Sequence, residues 1–499
     1  MKRTVLAVIT CIVLLASFGF AQKTLRFGIP VDPINLDPAQ MSHMVAHRFV
    51  AFLYPSLLKY DNNLALVGDL AESYNVIDDT TYEFTLREGV TFHHGEEITS
   101  EHVKFSIERL LDPDVPSPEA FELEPITEVE IIDDRTFRLH TEEPFAPILH
   151  GIAFGLGIHS AETVEEYGDL RFQGSGSGPF ELVEYRANEI VVFERYEDYD
   201  GPRPPLDRVE FHVITDDVAR STALSAGDLD VAEFLSPRAV LPLRSVDGLN
   251  VDYTGQPSIS HFHLNTRREP FDDVRVRQAM SCALDRQAIA DIVFVGDAEP
   301  TGPVPPSMGA WALPVDEFEC YTRDLERSRE LLAEAGYPDG FSSTMIGRAD
   351  NSTDIDQLQM MAEQFAEVGI DMEIRQLEWG EMLDLWITQK NFDTLLIGSS
   401  TGRDPDANFY RRFHSESERN TVGYNNPEVD ELMERGRTTI DQEERYEIYA
   451  ELQRIIANEA PKIFTVQVPL YHVYWDRVQN WETHPMGMYY HLGQVDIEE

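Results

Sequence analysis

Lysine is scarce in this chain, and cations of any kind are outnumbered: 40 Lys and Arg face 89 Asp and Glu, a formal charge of −49. A surface of that sign repels nucleic acid and anionic lipid, so neither is expected as a partner. The acids are spread along the chain rather than clustered. That fits a protein adapted to a salty medium, where charges beyond about 8 Å are screened, better than it fits steering of a cationic ligand. Long hydrophobic runs are missing after the first twenty-one residues, and no later stretch is apolar enough to span a bilayer. Cysteine is rare, with three residues in 499. There is no P-loop, no H-E-x-x-H and no paired C-x-x-C. Acidic residues are so many that any pair can be named as acid and base, which makes such a pair uninformative. An enzyme is therefore not expected, an exported hydrolase is the remotest reading, and no cofactor is anticipated.

What is present begins with a leader. Lys2 and Arg3 precede a nearly unbroken apolar run from Val5 to Phe18, and Gly19-Phe20-Ala21 supplies small residues for cleavage. This is the layout of a secretory signal peptide over 1–21. Cys11 lies inside the apolar run behind Thr10, with too little chain ahead of it for a lipid-attachment site. The mature chain is expected in the periplasm, secreted across the cytoplasmic membrane and not a lipoprotein. Cleavage leaves Cys282 and Cys320, which in an oxidising compartment can form one disulfide. Cys282 also falls in an apolar helical pattern that suits a simple buried thiol, and the two readings stand side by side.

A chain of 499 residues is too long for one core, and its 42% hydrophobic content is enough for two or three. Thr24 to Val31, Tyr82 to Leu86, Arg135 to His140, Asn188 to Arg195 and Val209 to Ile214 read as strands. Val103, Ile107, Leu110 and Leu111 mark one face of a helix, and Asp216 to Ala226 is a helix stopped by Gly227. In the second half Ile355, Leu358, Met361, Phe365 and Val368 fall at helical spacing before Gly369. Asp371 to Leu377 and Phe392 to Ile397 read as strands, and Tyr449, Leu452 and Ile456 form another helical face before Pro461. Strands alternating with helices predict mixed sheets with helices on their faces. Gly174 to Pro179 and Pro300 to Pro306 are the best boundary candidates.

Motifs that carry chemistry are few. Gly174-Ser175-Gly176-Ser177-Gly178 places Gly176, not a serine, at the centre of a would-be nucleophile elbow, and a glycine-rich chain crossing is the favoured role. His93-His94 and His261-x-His263 are candidate metal pairs. The second has suitable geometry, because alternate residues of a strand share a face, but neither has a third ligand at recognisable spacing and no metal site is expected.

Taken in order, a series of segments resembles the periplasmic peptide-binding proteins of ABC importers, the extracytoplasmic solute-binding family 5 of dipeptide, oligopeptide and nickel type. The series opens with Leu36-Asp37-Pro38-Ala39, Leu53 to Leu58 (LYPSLL) and Asp69 to Ser73 (DLAES). Its most specific member is Tyr82 to Gly95 (YEFTLREGVTFHHG), leading into Val103-Lys104-Phe105-Ser106. Gly176 to Phe180, Pro270 to Ala279 (PFDDVRVRQA), Ala283-Leu284-Asp285-Arg286 and Leu331 to Tyr337 continue it, so the likeness covers nearly the whole mature chain. Gly89 and Gly95 suit turns around a hairpin, Asp272 or Asp273 suits a helix cap, and Arg275 and Arg277 suit pairing with nearby acids. The resemblance implies an α/β, two-lobed periplasmic-binding-protein fold of class II, hinge-closing, with an extra inserted N-terminal domain. Lobe I would comprise 22–62, 180–264 and 480–499, the inserted domain 63–179 and lobe II 265–479. It further implies capture of a small-molecule ligand, peptide foremost, and delivery to the permease subunits of an ABC transporter by a monomer.

The pattern departs from the peptide binders at one place. They carry a Trp and an Asp after the strand equivalent to Phe392 to Ile397, and that Asp holds the ligand's α-amino group. Here the stretch is Gly398 to Asp406 (GSSTGRDPD), with Ser399 at the Trp position and Ser400 or Thr401 at the Asp position. Asp404 or Asp406 can substitute, or the ligand lacks a free amine there and Arg403, Arg411 or Arg412 meets an anionic group instead. Trp379 matches a family position where an aromatic lines the cleft. Trp379, Ser399, Thr401, Arg403, Asp404 and Asp406 are thus the candidate ligand-binding residues. An oligosaccharide or other non-peptide solute on the same scaffold is the alternative.

Overall fold

Two strands, Leu249–Leu264 and Lys462–Trp475, are far longer than the rest, and they carry one sheet through both halves of the molecule. The structure, a computed structural model, describes residues 22–41, 44–118, 120–400 and 404–498. Residues 1–21, where a leader with Cys11 is expected, and Thr401 to Arg403 lie outside them. The long strands pair antiparallel from Leu249 against Trp475 to His263 against Lys462, with a slip of register between Gly255 and Ile259. From the C-terminal end of Lys462–Trp475 the sheet runs on through Val231–Glu233, Thr24–Ile29, Arg208–Val213, Ile190–Arg195 and Phe180–Arg186. On the opposite side it continues through Thr394–Ser400, Phe341–Arg348 and Ile370–Leu377. With the short strand Glu299–Pro300 the sheet has eleven strands. A separate four-stranded antiparallel sheet, in the order Ala71–Asp78, Thr81–Leu86, Thr136–Thr141 and Ile126–Ile131, packs against the helix Ser100–Leu111.

Burial follows the alternation that the sequence pattern predicts. In the second half Phe262 and Leu264 point to a core with Met280, Leu358 and Phe365, while Leu395, Ile397 and Phe464 pack on the other face against Phe409 and Tyr449. The first half has its own core of Leu25, Phe27, Phe49, Phe193, Phe211 and Tyr489. Around the four-stranded sheet the core draws in Leu57 and Leu58 as well as Phe84, Phe92 and Phe137.

Helix ends account for part of the acidity. Asp216, Asp273, Asp285, Asp324, Asp404 and Asp441 each cap a helix, accepting from a backbone N–H of its first turn. The helix Asp217–Ala226 stops where Gly227 turns left-handed at φ 81°. Arg275 pairs with Asp273 as anticipated. Arg277 does not pair with an acid: its guanidinium is buried and donates to the backbone oxygens of Phe271, Asp272 and Glu459, tying the start of its helix to the end of Gln442–Glu459. The glycine-rich segment is a chain crossing. A Cβ at Gly176 would sit 1.7 Å from the Leu53 oxygen and one at Gly178 2.1 Å from the Phe52 oxygen, so only glycine fits at either point.

Among the described residues no helix is long and apolar enough to cross a membrane. Cys282 and Cys320 are joined as a disulfide closing a separation of 38 residues. The purified mature protein is expected to show no free thiol under denaturing conditions. Cys320→Ser, or reduction, should cost up to about 4 kcal/mol by the loop-entropy relation, read by urea unfolding with and without dithiothreitol. Equal stability in both would mean the bridge does not form in solution.

Candidate ligand-binding cleft

The strand Thr394–Ser400 (TLLIGSS) changes character along its length. Leu395, Leu396 and Ile397 are buried, Gly398 is exposed, and Ser399 and Ser400 are half-buried at its C-terminal end. The chain then enters the helix Pro405–Phe413, whose first turn has Asp404 at the cap and Pro405 behind it. Here the second half meets the four-stranded domain, and the candidate residues fall into distinct environments.

Asp404 is buried. Its two oxygens accept from the Arg445 guanidinium at 2.8 and 2.9 Å, and one also accepts from the Asp406 N–H. Burial pushes the Asp404 carboxyl up, but the adjacent Arg445 charge outweighs it and holds the group below the ordinary carboxylate range. Asp406, two residues on, lies 3.4 Å from Arg437 and accepts from the Tyr449 hydroxyl. For this group burial prevails over Arg437, with Asp404 adding repulsion, and its pKa is raised to about 7. Both face the four-stranded domain. His150 lies 3.6 Å from Asp404, the Ala146 N–H donates to the Arg437 oxygen at 2.8 Å, and the guanidiniums of Arg437 and Arg411 lie over the rings of Phe145 and Phe121. A small cavity of about 10 Å³ lies beneath these contacts, lined in part by Phe121, Glu122, His150 and Asp406. An open groove of about 820 Å³ adjoins it, between Phe121, Glu124, Glu142 and Glu143 on one side and Tyr410, Glu431, Glu434 and Arg435 on the other.

Ser399 belongs to another constellation. Its Oγ hydrogen-bonds His261 Nε2 at 2.6 Å, and His261 Nδ1 hydrogen-bonds His263 Nε2 at 2.8 Å. The pair singled out as a metal motif is thus a hydrogen-bonded stack leading inward from the cleft, with Lys462 directly across from His263 on the neighbouring strand. Arg412 stands near, donating to Asn408 and to the Ser400 oxygen. Burial, reinforced by the mutual repulsion of these cations, depresses the pKa of His261, His263 and Lys462 well below the ordinary values, and burial with Arg411 lowers Arg412 to about 10.

Trp379 opens the short helix Trp379–Leu383 and is half-buried, with the Arg348 guanidinium 4.7 Å from its ring. Thr401 and Arg403 lie outside the described residues. His93 is half-buried with its Nε2 against the Gly178 oxygen, and desolvation of the ring lowers its pKa to about 4. His94 lies with Glu96 and Glu162 in an exposed group whose ligand-type atoms fall within 4.8 Å. The structure therefore joins Asp404 and Asp406 in one buried cluster with Arg445, His150 and Arg437, and places Ser399 in a second with His261, His263 and Lys462; the sequence pattern had marked none of Arg445, His150, Arg437 and Lys462. The one local signal was Lys462 itself, a cation opening an otherwise apolar strand (KIFTVQV).

The geometry is that of a cleft-type binding protein, and comparison with known proteins agrees. Residues 65–421 match the family model of bacterial extracellular solute-binding proteins, family 5, middle region, and the chain belongs to that family. The glutathione-binding protein GsiB of Salmonella typhi is 30% identical over 462 residues, 89% of each chain, and that of Escherichia coli K12 is 30% identical over 471 residues, 90% of each. Among solved structures, the ABC transporter substrate-binding protein CtaP of Listeria monocytogenes superposes with a TM-score of 0.87 at 23% identity, covering 96% of this chain and 100% of its own. The oligopeptide-binding protein AppA of Bacillus subtilis, in complex with a nonapeptide, gives 0.82 at 24% identity with the same coverage. The fold is accordingly the two-lobed, mixed α/β architecture of periplasmic binding proteins.

The two neighbouring carboxylates should respond to pH with opposite signs. Asp404 has a depressed folded-state pKa, so its contribution is present above about pH 4 and is lost only as pH falls below that. Asp406 has a raised one, so the native state binds a proton that the unfolded chain has lost, and its burial costs stability progressively between about pH 4 and pH 7. Asp404→Asn is expected to destabilise by roughly 3 to 5 kcal/mol at pH 7, because it leaves Arg445 buried and unpaired. Asp406→Asn should flatten the fall in stability between pH 4 and pH 7. Urea unfolding across that range reads both; an Asp404→Asn protein as stable as wild type would remove the ion pair from any structural role.

Proposed function

We propose that this protein is the extracytoplasmic solute-binding component of an ABC importer, capturing a peptide-like ligand between two halves that close upon it. The observation that carries the proposal is the sheet connection. Among the described residues backbone ladders join the halves through two strands, with a slipped register at Gly255 to Ile259, while the remaining contacts across the cleft are side-chain contacts and the one Ala146–Arg437 backbone hydrogen bond, all of which can separate. Glutathione is a tripeptide, and AppA holds a nonapeptide, so a peptide-like solute is the class these relatives favour. We take 22–62, 180–264 and 480–499 as one lobe, 265–479 as the other and 63–179 as the inserted domain, with the two long strands crossing between the lobes: Ile259 to Leu264 pairs in the second half and Pro469 to Trp475 in the first. First contacts with ligand are assigned to Ser399, Thr401, Arg403 and Trp379, with Asp404 and Asp406 holding the helix Pro405–Phe413 in place behind them. The mature protein is taken to act as a periplasmic monomer without enzymatic activity or a lipid anchor, docking on the permease subunits when closed.

A second reading, an oligosaccharide or other non-peptide solute on the same scaffold, draws on one observation. Asp404 is engaged by Arg445, and by the family resemblance Ser399, with Ser400 or Thr401, stands where peptide binders use a Trp and an Asp. A thermal-shift panel separates the readings, because a ligand that binds only the native state stabilises it by about 2.7 kcal/mol at a hundredfold excess over Kd. Glutathione, tripeptides and longer peptides should raise the Tm, and small-angle scattering should show a more compact particle with the same compounds. A rise with oligosaccharides and none with any peptide would establish the second reading instead.

A further inference from the structure

The chain has six lysines, and one of them, Lys462, is buried in the second half at 2% exposure. Its Nζ lies 4.8 Å from the centre of the Phe413 ring and makes no hydrogen bond or ion pair with any described residue. Facing it are His263, fully buried with Nδ1 unpartnered, and His261, both on the same side of the sheet. Arg412 completes the group, and its donated bonds go to an amide oxygen and a backbone oxygen, not to an acid. In a protein with 89 carboxylates, none among the described residues acts on any of these four side chains.

A buried cation without a partner is expensive, and a neutral amine there would still leave its hydrogen-bonding capacity unmet. A structural role is poorly served by lysine at this position, since Phe413 and Phe464 would pack an aliphatic side chain at no such cost. The group adjoins the cleft wall: the hydrogen-bonded series His263, His261, Ser399 ends on the half-buried serine. A carboxylate seated behind Ser399 would accept from Lys462 Nζ and from His263 Nδ1–H, and would supply the countercharge that Lys462 and Arg412 lack among the described residues.

We propose that the captured solute carries a carboxylate that seats in this pocket of His261, His263, Arg412 and Lys462, so that the end of the ligand docked behind Ser399 is anionic rather than a free ammonium. The inference rests on the reading of this site as a solute-binding cleft and names the ligand chemistry it takes.

The test uses the full mature protein, wild type and Lys462→Met. One arm takes the tightest-binding peptide of the panel and the same peptide with its carboxyls amidated, measured by calorimetry. The other takes sodium formate against formamide at matched chloride, read by thermal shift, and needs no knowledge of the ligand. Wild type should bind the acid form about tenfold or more tightly than the amide and gain Tm with formate but not formamide. Lys462→Met should lose both preferences while melting no lower than wild type, since it removes an uncompensated buried charge. Equal affinity for acid and amide, or an acid preference or formate response that survives in Lys462→Met, overturns the proposal. If no peptide binds, the peptide-like reading fails and the formate arm alone decides on the pocket: a response lost in Lys462→Met supports it, and no response, or one that persists, ends it.

Discussion

The antiparallel ladder between Leu249–Leu264 and Lys462–Trp475 is the constraint on which the architecture turns. Each strand serves the first half with one end and the second half with the other, so neither half can be built without fixing part of its partner. Between Gly255 and Ile259 the pairing slips and Gln256, Pro257 and Ser258 lie outside the register. Irregularity at that point bends and loosens a ladder without ending it. Elsewhere the halves touch through side chains such as the Arg238–Asp356 ion pair and the Tyr471–Asp297 hydrogen bond. A solvent-exposed ion pair of this kind contributes about 0 to 1 kcal/mol. The ladder holds the halves together and the side chains decide how far apart they stand.

The same economy of cations explains why arginine so outnumbers lysine. Arg220 donates to the Ile214, Glu233 and Phe234 oxygens, Arg277 to Phe271, Asp272 and Glu459, and Arg286 to Ser281, Cys320 and Phe464. Each buried guanidinium gathers carbonyl oxygens from two or three chain segments, a task that needs a planar fork of donors. An ammonium cannot span them. Lys462 is conspicuous against this background, because among the described residues this buried lysine answers to no backbone carbonyl and to no acid.

Legibility in the sequence followed the range of the interaction. Helices with an aspartate at one end and a glycine beyond the other, such as Asp217–Ala226, were readable because both signals are local. So were the alternating strands Thr81–Leu86 and Ile370–Leu377, and the crossing at Gly174 to Pro179. The ends of Phe392 to Ile397 were misplaced by two or three residues: the strand is Thr394–Ser400, because pairing with the long strand extends it through small residues with no strand pattern of their own. The pairings that define the site were not readable. Asp404 meets Arg445 from a helix 41 residues on and His150 from another domain, and no periodicity encodes either. The histidine pair was visible as two residues on one face. Its lysine neighbour, nearly two hundred residues later, was not, and without that lysine the pair suggested metal chemistry.

Asp404 and Asp406 show how closely the site balances opposing terms. They share a helix turn and the same depth, yet one is held ionised by a two-pronged arginine while the other is pushed towards its neutral form. The difference comes entirely from elements brought in by folding, and it bears on capture. A closed form that is very stable by itself would not report occupancy, since a ligand shifts the balance between open and closed only by its differential affinity for the two. The contacts that join the four-stranded domain to the second half include a cation over an aromatic ring, one backbone hydrogen bond and a carboxylate whose burial is costly at neutral pH. On the proposed reading, this mixture leaves closure near balance when the cleft is empty, and a solute that supplies the charge missing behind Ser399 provides the remaining bias.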